Sequence, residues 1–235
     1  MTLWKCPGQD RRDFKPEDVI LAPCPACGAE VEFFPDDIMV RCSACGKLAR
    51  NPKFNPACAA WCAYADKCLG AVAEVYRRQP EVLREKLIGA VNRILADFPA
   101  ARRRALAAAA YAAELSQREG GAPLVVTAAV LLQNISLAGP EAAGTGLEAR
   151  AREVMASVGL PPEAIEAAVA VLGALAGGPG TGQLEERLAR DALRLADWPR
   201  ETEGKSPLEV EALAASFETA AGREMARAKA GRGCG

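Results

Sequence analysis

Beyond residue 80 apolar positions recur at steps of three and four, and that rhythm predicts a row of helices, each with one buried face. Leu83, Leu87, Val91, Ile94 and Leu95 carry it in the first of them. Prolines and glycines punctuate the remainder, so helices are expected over 80–98, 100–119, 123–138, 147–158, 161–176, 183–198 and 206–230. Pro80, Pro123 and the pair Pro161-Pro162 mark starts, while Gly120-Gly121, Gly159 and Gly177-Gly178 mark ends. Pro199 is expected to stop the helix over 183–198. Upstream the rhythm changes: "AEVEFF" and "IMVRC" read as short extended segments, with "PDD" between them as a turn signal.

Composition agrees with that division. Half of the 235 residues are hydrophobic, which supports a sizeable core, and the scarcity of aromatics beside abundant alanine favours close-packed helices. The expected fold is mainly α, with a small N-terminal β-hairpin module. The 29 Lys and Arg nearly balance 30 Asp and Glu, so no bulk positive field draws in nucleic acid or an anionic membrane. No stretch has the uninterrupted apolar length of a membrane span, and "MTLWKCPGQDRRDF" lacks the apolar run of a secretory signal. A cytoplasmic location without a membrane partner is expected. Histidine is absent, which removes Ser-His and Cys-His couples, His-ligated metal centres and the usual general base near neutral pH.

Eight of the nine cysteines fall in residues 1–70, and the ninth, Cys234, lies in the glycine-rich end "AGRGCG". The chain therefore divides into a Cys-rich module over 1–70, a helical domain over 71–230 and a flexible tail over 231–235, where Cys234 has no ligand role. In a reducing compartment such cysteines point to metal or cluster ligation more than to disulfides.

Cys24-x2-Cys27 and Cys42-x2-Cys45 are each followed by glycine, in "CPACG" and "CSACG". Each pair can form a tight knuckle whose glycine lets backbone amides point at thiolate sulfur. A hairpin between the pairs would bring both knuckles around one tetrahedral Zn(2+), the pattern of a zinc ribbon. Four thiolates leave no open coordination position, so the default role of that site is to fold the module. Arg41, Lys47, Arg50 and Lys53 allow nucleic-acid binding through the ribbon, but an ordinary solvated face accounts for them equally well, and this reading is not favoured.

Cys58, Cys62 and Cys68 form a second set whose fourth member can come from Cys6. A distant cysteine with a closely spaced trio, flanked by Trp61 and Tyr64, fits a [4Fe–4S] cluster; a second Zn(2+) is the alternative, and spacing does not separate them. "RRQPEVLREK" and "ARRRAL" read as solvated helix faces, and "GGPGTGQ" over 177–183 as a flexible loop without the Lys and preceding strand of a phosphate loop.

Four segments, "RALAAAAYAAELSQREGG", "VVTAAVLLQNIS", "VMASVGLPPEAIEAAVAVL" and "LEERLARDALRLAD", followed by "SFETAAGREMARAK", resemble successive pieces of the HD-domain superfamily of metal-dependent phosphohydrolases. The resemblance spans roughly residues 80–230 and implies an HD-like helical bundle. Family members hold one or two divalent metals with a His early in the first of these helices, a His-Asp pair and a later Asp. Those positions fall here on Arg104, on Gln133 and Asn134, and on Asp191, where only the aspartate is kept; Leu193 stands where a second acid of the later stretch would be.

The resemblance thus implies the scaffold without the ligand set. An Arg104–Asp191 ion pair capped by Gln133 and Asn134 is the expected replacement for the metal; a phosphate held by Arg102, Arg103 and Arg104, or a merely hydrated polar spot, are the other readings. The expected protein is non-catalytic, binding zinc and an iron–sulfur cluster. It would serve in regulation, sensing or scaffolding, with a protein or nucleotide as its partner. A nucleotide phosphohydrolase with altered ligands and a nucleic-acid-binding ribbon are the rivals.

Overall fold

Each Cys-x2-Cys-Gly segment is the loop of its own hairpin. The strands are β1 (Thr2–Lys5), β2 (Ile20–Pro23), β3 (Glu30–Phe33), β4 (Asp37–Arg41) and β5 (Leu48–Arg50). β2 pairs antiparallel with β3, Ile20 opposite Phe33 and Pro23 opposite Glu30. β4 pairs antiparallel with β5, Arg41 opposite Leu48, and with β1 on its other edge. The computed structural model describes residues 2–5, 15–54, 62, 64–66, 73–138, 146–180 and 182–232. The chain divides into two units, Met1–Val82 and Leu83–Gly235, so the boundary lies beyond the compositional change at residue 70.

The two expected strands exist, but they do not pair with each other. The "PDD" turn joins two sheets instead of closing a hairpin. Its backbone groups are answered by side chains: Asp37 Oδ2 accepts from the Phe34 amide at 2.9 Å, and Asn51 Nδ2 donates to the carbonyls of Asp37 at 2.9 Å and Phe34 at 3.3 Å. A turn satisfied in this way needs no ladder across it. Along β3 the strict alternation buries Val31 and Phe33 against Cys24, Cys42 and Ala49 and leaves Glu30 and Glu32 exposed. Beside this sheet, α1 (Ala73–Arg77) places the Tyr76 ring 4.7 Å from the Arg50 guanidinium.

The second unit is helical: α2 (Pro80–Ile94, which begins at the unit boundary), α3 (Pro99–Glu119), α4 (Pro123–Gln133), α5 (Gly146–Ser157), α6 (Pro162–Leu175), α7 (Leu184–Thr202), α8 (Pro207–Ala215) and α9 (Ala220–Arg232). α4 is the central element, with Val125 through Leu132 all buried, and it packs against α3, α6 and α7. A helix apolar on all sides has to sit inside. On α3 the buried stripe is almost all alanine, Ala101, Ala105, Ala108, Ala109 and Ala112, with Leu115, and small side chains let neighbouring backbones come close. α3 and α7 run antiparallel: Arg104 near the start of α3 meets Asp197 near the end of α7, and Ala122, just past α3, donates to Glu185 in the first turn of α7. Among the described residues no helix is long and apolar enough to cross a membrane.

Two helix boundaries differ from the sequence expectation. α7 continues through Pro199 to Thr202. Proline removes one amide donor close to the helix end, a loss that the buried face of Leu188, Ala192, Leu195 and Trp198 outweighs, and the Thr202 hydroxyl donates to the Trp198 carbonyl at 2.8 Å. The helix expected over 206–230 is two helices, α8 and α9, the latter reaching Arg232 into the expected tail. Here the carboxylate of Asp191 on α7 takes the amides of Glu218 (3.0 Å) and Thr219 (2.8 Å), drawing the chain out of helix, and Thr219 Oγ1 then caps α9 by accepting from Gly222 N at 3.0 Å. Arg194 closes the end of α8, donating to the Ser216 carbonyl at 3.1 Å.

That junction leaves no room for a side chain at 222, because a Cβ there would overlap the Asp191 carboxylate. Gly222→Ala is therefore expected to destabilise the protein by about 1–3 kcal/mol in urea unfolding. Gly231→Ala, in open space on the same helix, should be neutral or stabilising. Equal effects at both positions would contradict the packing described.

Candidate functional site

The cysteine knuckles share one local geometry. In the first, the Cys24 carbonyl accepts from Gly28 N and the Cys24 amide donates to the Ala29 carbonyl, each at 2.8 Å. In the second, the Cys42 carbonyl accepts from Gly46 N at 2.9 Å and the Cys42 amide donates to the Lys47 carbonyl at 2.8 Å. Gly28 and Gly46 have φ of +76° and +72°, in the left-handed region where glycine carries no Cβ penalty. The repeated "CxxCG" is thus a conformational requirement as well as a ligand spacing.

All four sulfurs lie within 4.8 Å of one another. Across the knuckles Cys24 Sγ is 3.8 Å from Cys45 Sγ, and Cys27 Sγ is 3.7 Å from Cys42 Sγ. An ion bonded to four sulfurs at ~2.3 Å in a tetrahedron sets edges of about 3.8 Å. The donor set therefore fits a metal ion such as zinc, and all four thiols are free of disulfide bonds. Cys24 and Cys42 are buried and Cys27 and Cys45 exposed, so the cluster sits at the surface with one buried sulfur per knuckle.

Backbone amides and neighbouring sulfurs set Cys42 and Cys27 apart in acidity. The amides of Cys45 and Ala44 draw the Cys42 thiol down to about 7. The Ala29 amide acts on Cys27 in the same direction, but the Cys45 sulfur, desolvation and the Cys42 and Cys24 sulfurs outweigh it and push that thiol up to about 12. Four neighbouring thiolates need a cation among them, and a bound divalent ion would supply it while displacing the protons.

Of the second cysteine set, Cys62 is half-buried with a free thiol, whereas Cys6, Cys58 and Cys68 lie outside the described residues, as does Cys234.

In the helical unit Arg104 does not meet Asp191. Its Nε donates to both carboxylate oxygens of Asp197, at 2.9 and 3.0 Å, and its second terminal nitrogen reaches Asp197 Oδ2 at 2.6 Å. The remaining terminal nitrogen donates to Asn134 Oδ1 at 2.7 Å, and Asn134 Nδ2 passes the chain on to the Val130 carbonyl at 2.7 Å. The expected ion pair is real in kind but has a different acid, and one of the two expected amides caps it. Gln133 keeps its side-chain oxygen buried without a partner among the described residues. Each guanidinium nitrogen donates in these contacts, while Arg102 and Arg103 face solvent, so the three arginines do not converge on one phosphate.

Asp191 is completely buried, and its carboxylate accepts from Glu218 N, Thr219 N and the Thr219 hydroxyl. It is a structural anion at the junction before α9. Glu119 adds a second carboxylate there, accepting from Ala221 N at 2.5 Å. The loop over 177–183 has an internal anion of its own: Gly182 N donates to Glu186 at 3.1 Å, and the same buried carboxylate pairs with Arg190 at 2.5 Å. The loop amide is thus turned to the protein's own acid.

Asp197 is the residue that sequence reasoning missed. One signal was available: in "RLADWP" it flanks the buried Leu195 and Trp198, where an acid needs a cation, and Arg104 flanks the alanine stripe of α3. The side chains of Arg104 and Asp197 are 25% and 14% exposed, so removing either strands a mostly buried charge. Asp197→Ala is expected to cost about 3 kcal/mol, and a double-mutant cycle should return a coupling of ~1 kcal/mol or more for Arg104 with Asp197. The same cycle for Arg104 with Asp191 should return nearly none; the reverse order would refute the assignment. Comparison with known protein families, with curated proteins and with solved structures gave no match.

Proposed function

We propose that this chain is a non-catalytic zinc protein, in which a zinc-ribbon module is joined to a degenerate HD-like helical domain and serves in regulation, sensing or scaffolding. The observation that carries the proposal is the four-sulfur cluster of Cys24, Cys27, Cys42 and Cys45, whose separations suit one tetrahedral ion and whose thiolates fill every position of it. A closed thiolate site folds its module and leaves no place for a substrate. Zinc bound there would neutralise the sulfur cluster and tie the two hairpins to each other, while Gly28, Gly46 and the knuckle hydrogen bonds shape each knuckle by itself.

The non-catalytic reading rests on the residues at the HD-like positions. Arg104 carries a positive charge that Asp197 and Asn134 already answer, and the Asp191 carboxylate accepts hydrogen bonds from the junction before α9. Both are committed to structure, and amides at 133 and 134 are weak ligands for a transition metal. The second cysteine set, Cys6, Cys58, Cys62 and Cys68, enters the proposal as the holder of a [4Fe–4S] cluster, with a second zinc as its alternative.

Metal and sulfide analysis of protein purified without oxygen tests both sites at once. Zinc that disappears in Cys42→Ser, together with iron, sulfide and a broad visible absorption that disappear in Cys62→Ser, is the expected result. Zinc-free protein would overturn the ribbon, and a colourless protein with two zinc ions and no iron would overturn the cluster. Metal-stimulated phosphate release from nucleotides, abolished by Asp191→Ala, would overturn the non-catalytic reading.

A further inference from the structure

The same four sulfurs are placed for a reaction that a purely structural site would not need. We infer that the ribbon is a peroxide-sensitive thiol switch, which releases its metal by forming two disulfides across the knuckles, Cys24–Cys45 and Cys27–Cys42. The inference rests on the proposal that the four thiolates hold zinc.

Access and proximity carry it. Each cross-knuckle pair joins one exposed sulfur, Cys45 or Cys27, to one buried sulfur, Cys24 or Cys42. The exposed member meets an oxidant from solvent first, and the buried member stands 3.8 or 3.7 Å away, close to sulfur–sulfur contact. A disulfide needs ~2.05 Å, so closing either gap asks for side-chain rotation and a small knuckle adjustment. Proximity of a resolving thiol is what turns an oxidised cysteine into a reversible disulfide instead of a dead-end acid.

The chemistry balances with hydrogen peroxide as oxidant. The exposed thiolate attacks the O–O bond, forming a sulfenic acid and releasing hydroxide. The buried thiolate then displaces hydroxide from that sulfur and makes the S–S bond. Each pair gives up two electrons and reduces one peroxide to two waters, with protons drawn from solvent. Two pairs together consume two peroxides and four protons and set free one Zn(2+), since no thiolate remains to hold it.

Cross-knuckle closure also predicts what survives. The bonds would link positions 21 and 15 residues apart in sequence, tying the β2–β3 hairpin to the β4–β5 hairpin as the metal does. Bonds within a knuckle, Cys24–Cys27 and Cys42–Cys45, would leave the hairpins untied. The oxidised module is therefore expected to keep its hairpins together while losing zinc, and a thiol reductant plus zinc should restore it.

The test uses zinc-loaded full-length protein whose zinc content is measured first, so that absence of zinc marks failure of the underlying proposal and not of this inference. Hydrogen peroxide is then added, zinc release is followed with a chromogenic chelator, and disulfides are mapped by mass spectrometry after alkylation. The expected result is zinc release matched by peptides linked 24–45 and 27–42, reversed by dithiothreitol with zinc. Cys45→Ser and Cys27→Ser, compared at equal zinc loading, should each yield only the other cross-knuckle link. Zinc retained under peroxide, links confined to single knuckles or reaching Cys62, or irreversible sulfinic acids would each overturn the inference.

Discussion

Charge brought close to an apolar interior must be answered there, and that constraint organises both units. Four sulfurs within 4.8 Å of one another resist ionising together unless a cation lies among them; the Cys42 thiol is drawn down to about 7 by backbone amides while the Cys27 thiol is pushed up to about 12 by its sulfur neighbours and desolvation. In the helical unit the same requirement acts on Arg104, Asp191 and Glu186, each answered by a specific partner from another turn or helix. The apolar faces decide which helices pack, and the polar contacts decide how they are joined end to end.

Those contacts lie at two places along the α3–α7 pair. At one end Arg104 spans from α3 to Asp197 on α7 and to Asn134 just beyond α4, tying three chain segments through one guanidinium. Further along, Asp191 in the middle of α7 and Glu119 at the end of α3 accept from the backbone around the start of α9, where favourable dipole and unpaired amides suit carboxylates. An ion pair and hydrogen bonds thus link the helices at these positions, which the proposed HD-like reading would take as standing in for a metal. At the cysteine cluster the neighbouring groups are thiols, and the switch we infer would let oxidation change how the hairpins are held together.

Much of this was legible in the amino-acid order. The helices over 80–94, 99–119, 123–133, 146–157 and 162–175 follow from three-four periodicity and from prolines and glycines at their ends, because those residues act on the backbone within one turn. The four clustered cysteines were legible for the same local reason: a Cys-x2-Cys-Gly knuckle needs its glycine at positive φ and two thiols three residues apart, all within six residues. The compositional split near residue 70 preceded the structural division at Val82 without coinciding with it. Periodicity sees buried faces, whereas a unit boundary is set by which faces meet.

What the sequence by itself determined, then, was whatever short-range stereochemistry controls: helix periods and starts, the two knuckles, the absence of any histidine that could serve a metal or a base. Tertiary structure decided the rest. Pairing of β2 with β3 and of β4 with β5, instead of one hairpin over "PDD", came from side chains of Asp37 and Asn51 capping the turn. The break between α8 and α9 came from a carboxylate 27 residues upstream, and the partner of Arg104 lay 93 residues away. No local pattern ranks Asp197 above Asp191 as that partner. The choice depends on where two helices cross, and the crossing is fixed by packing of the alanine face of α3 against α7 and the buried α4.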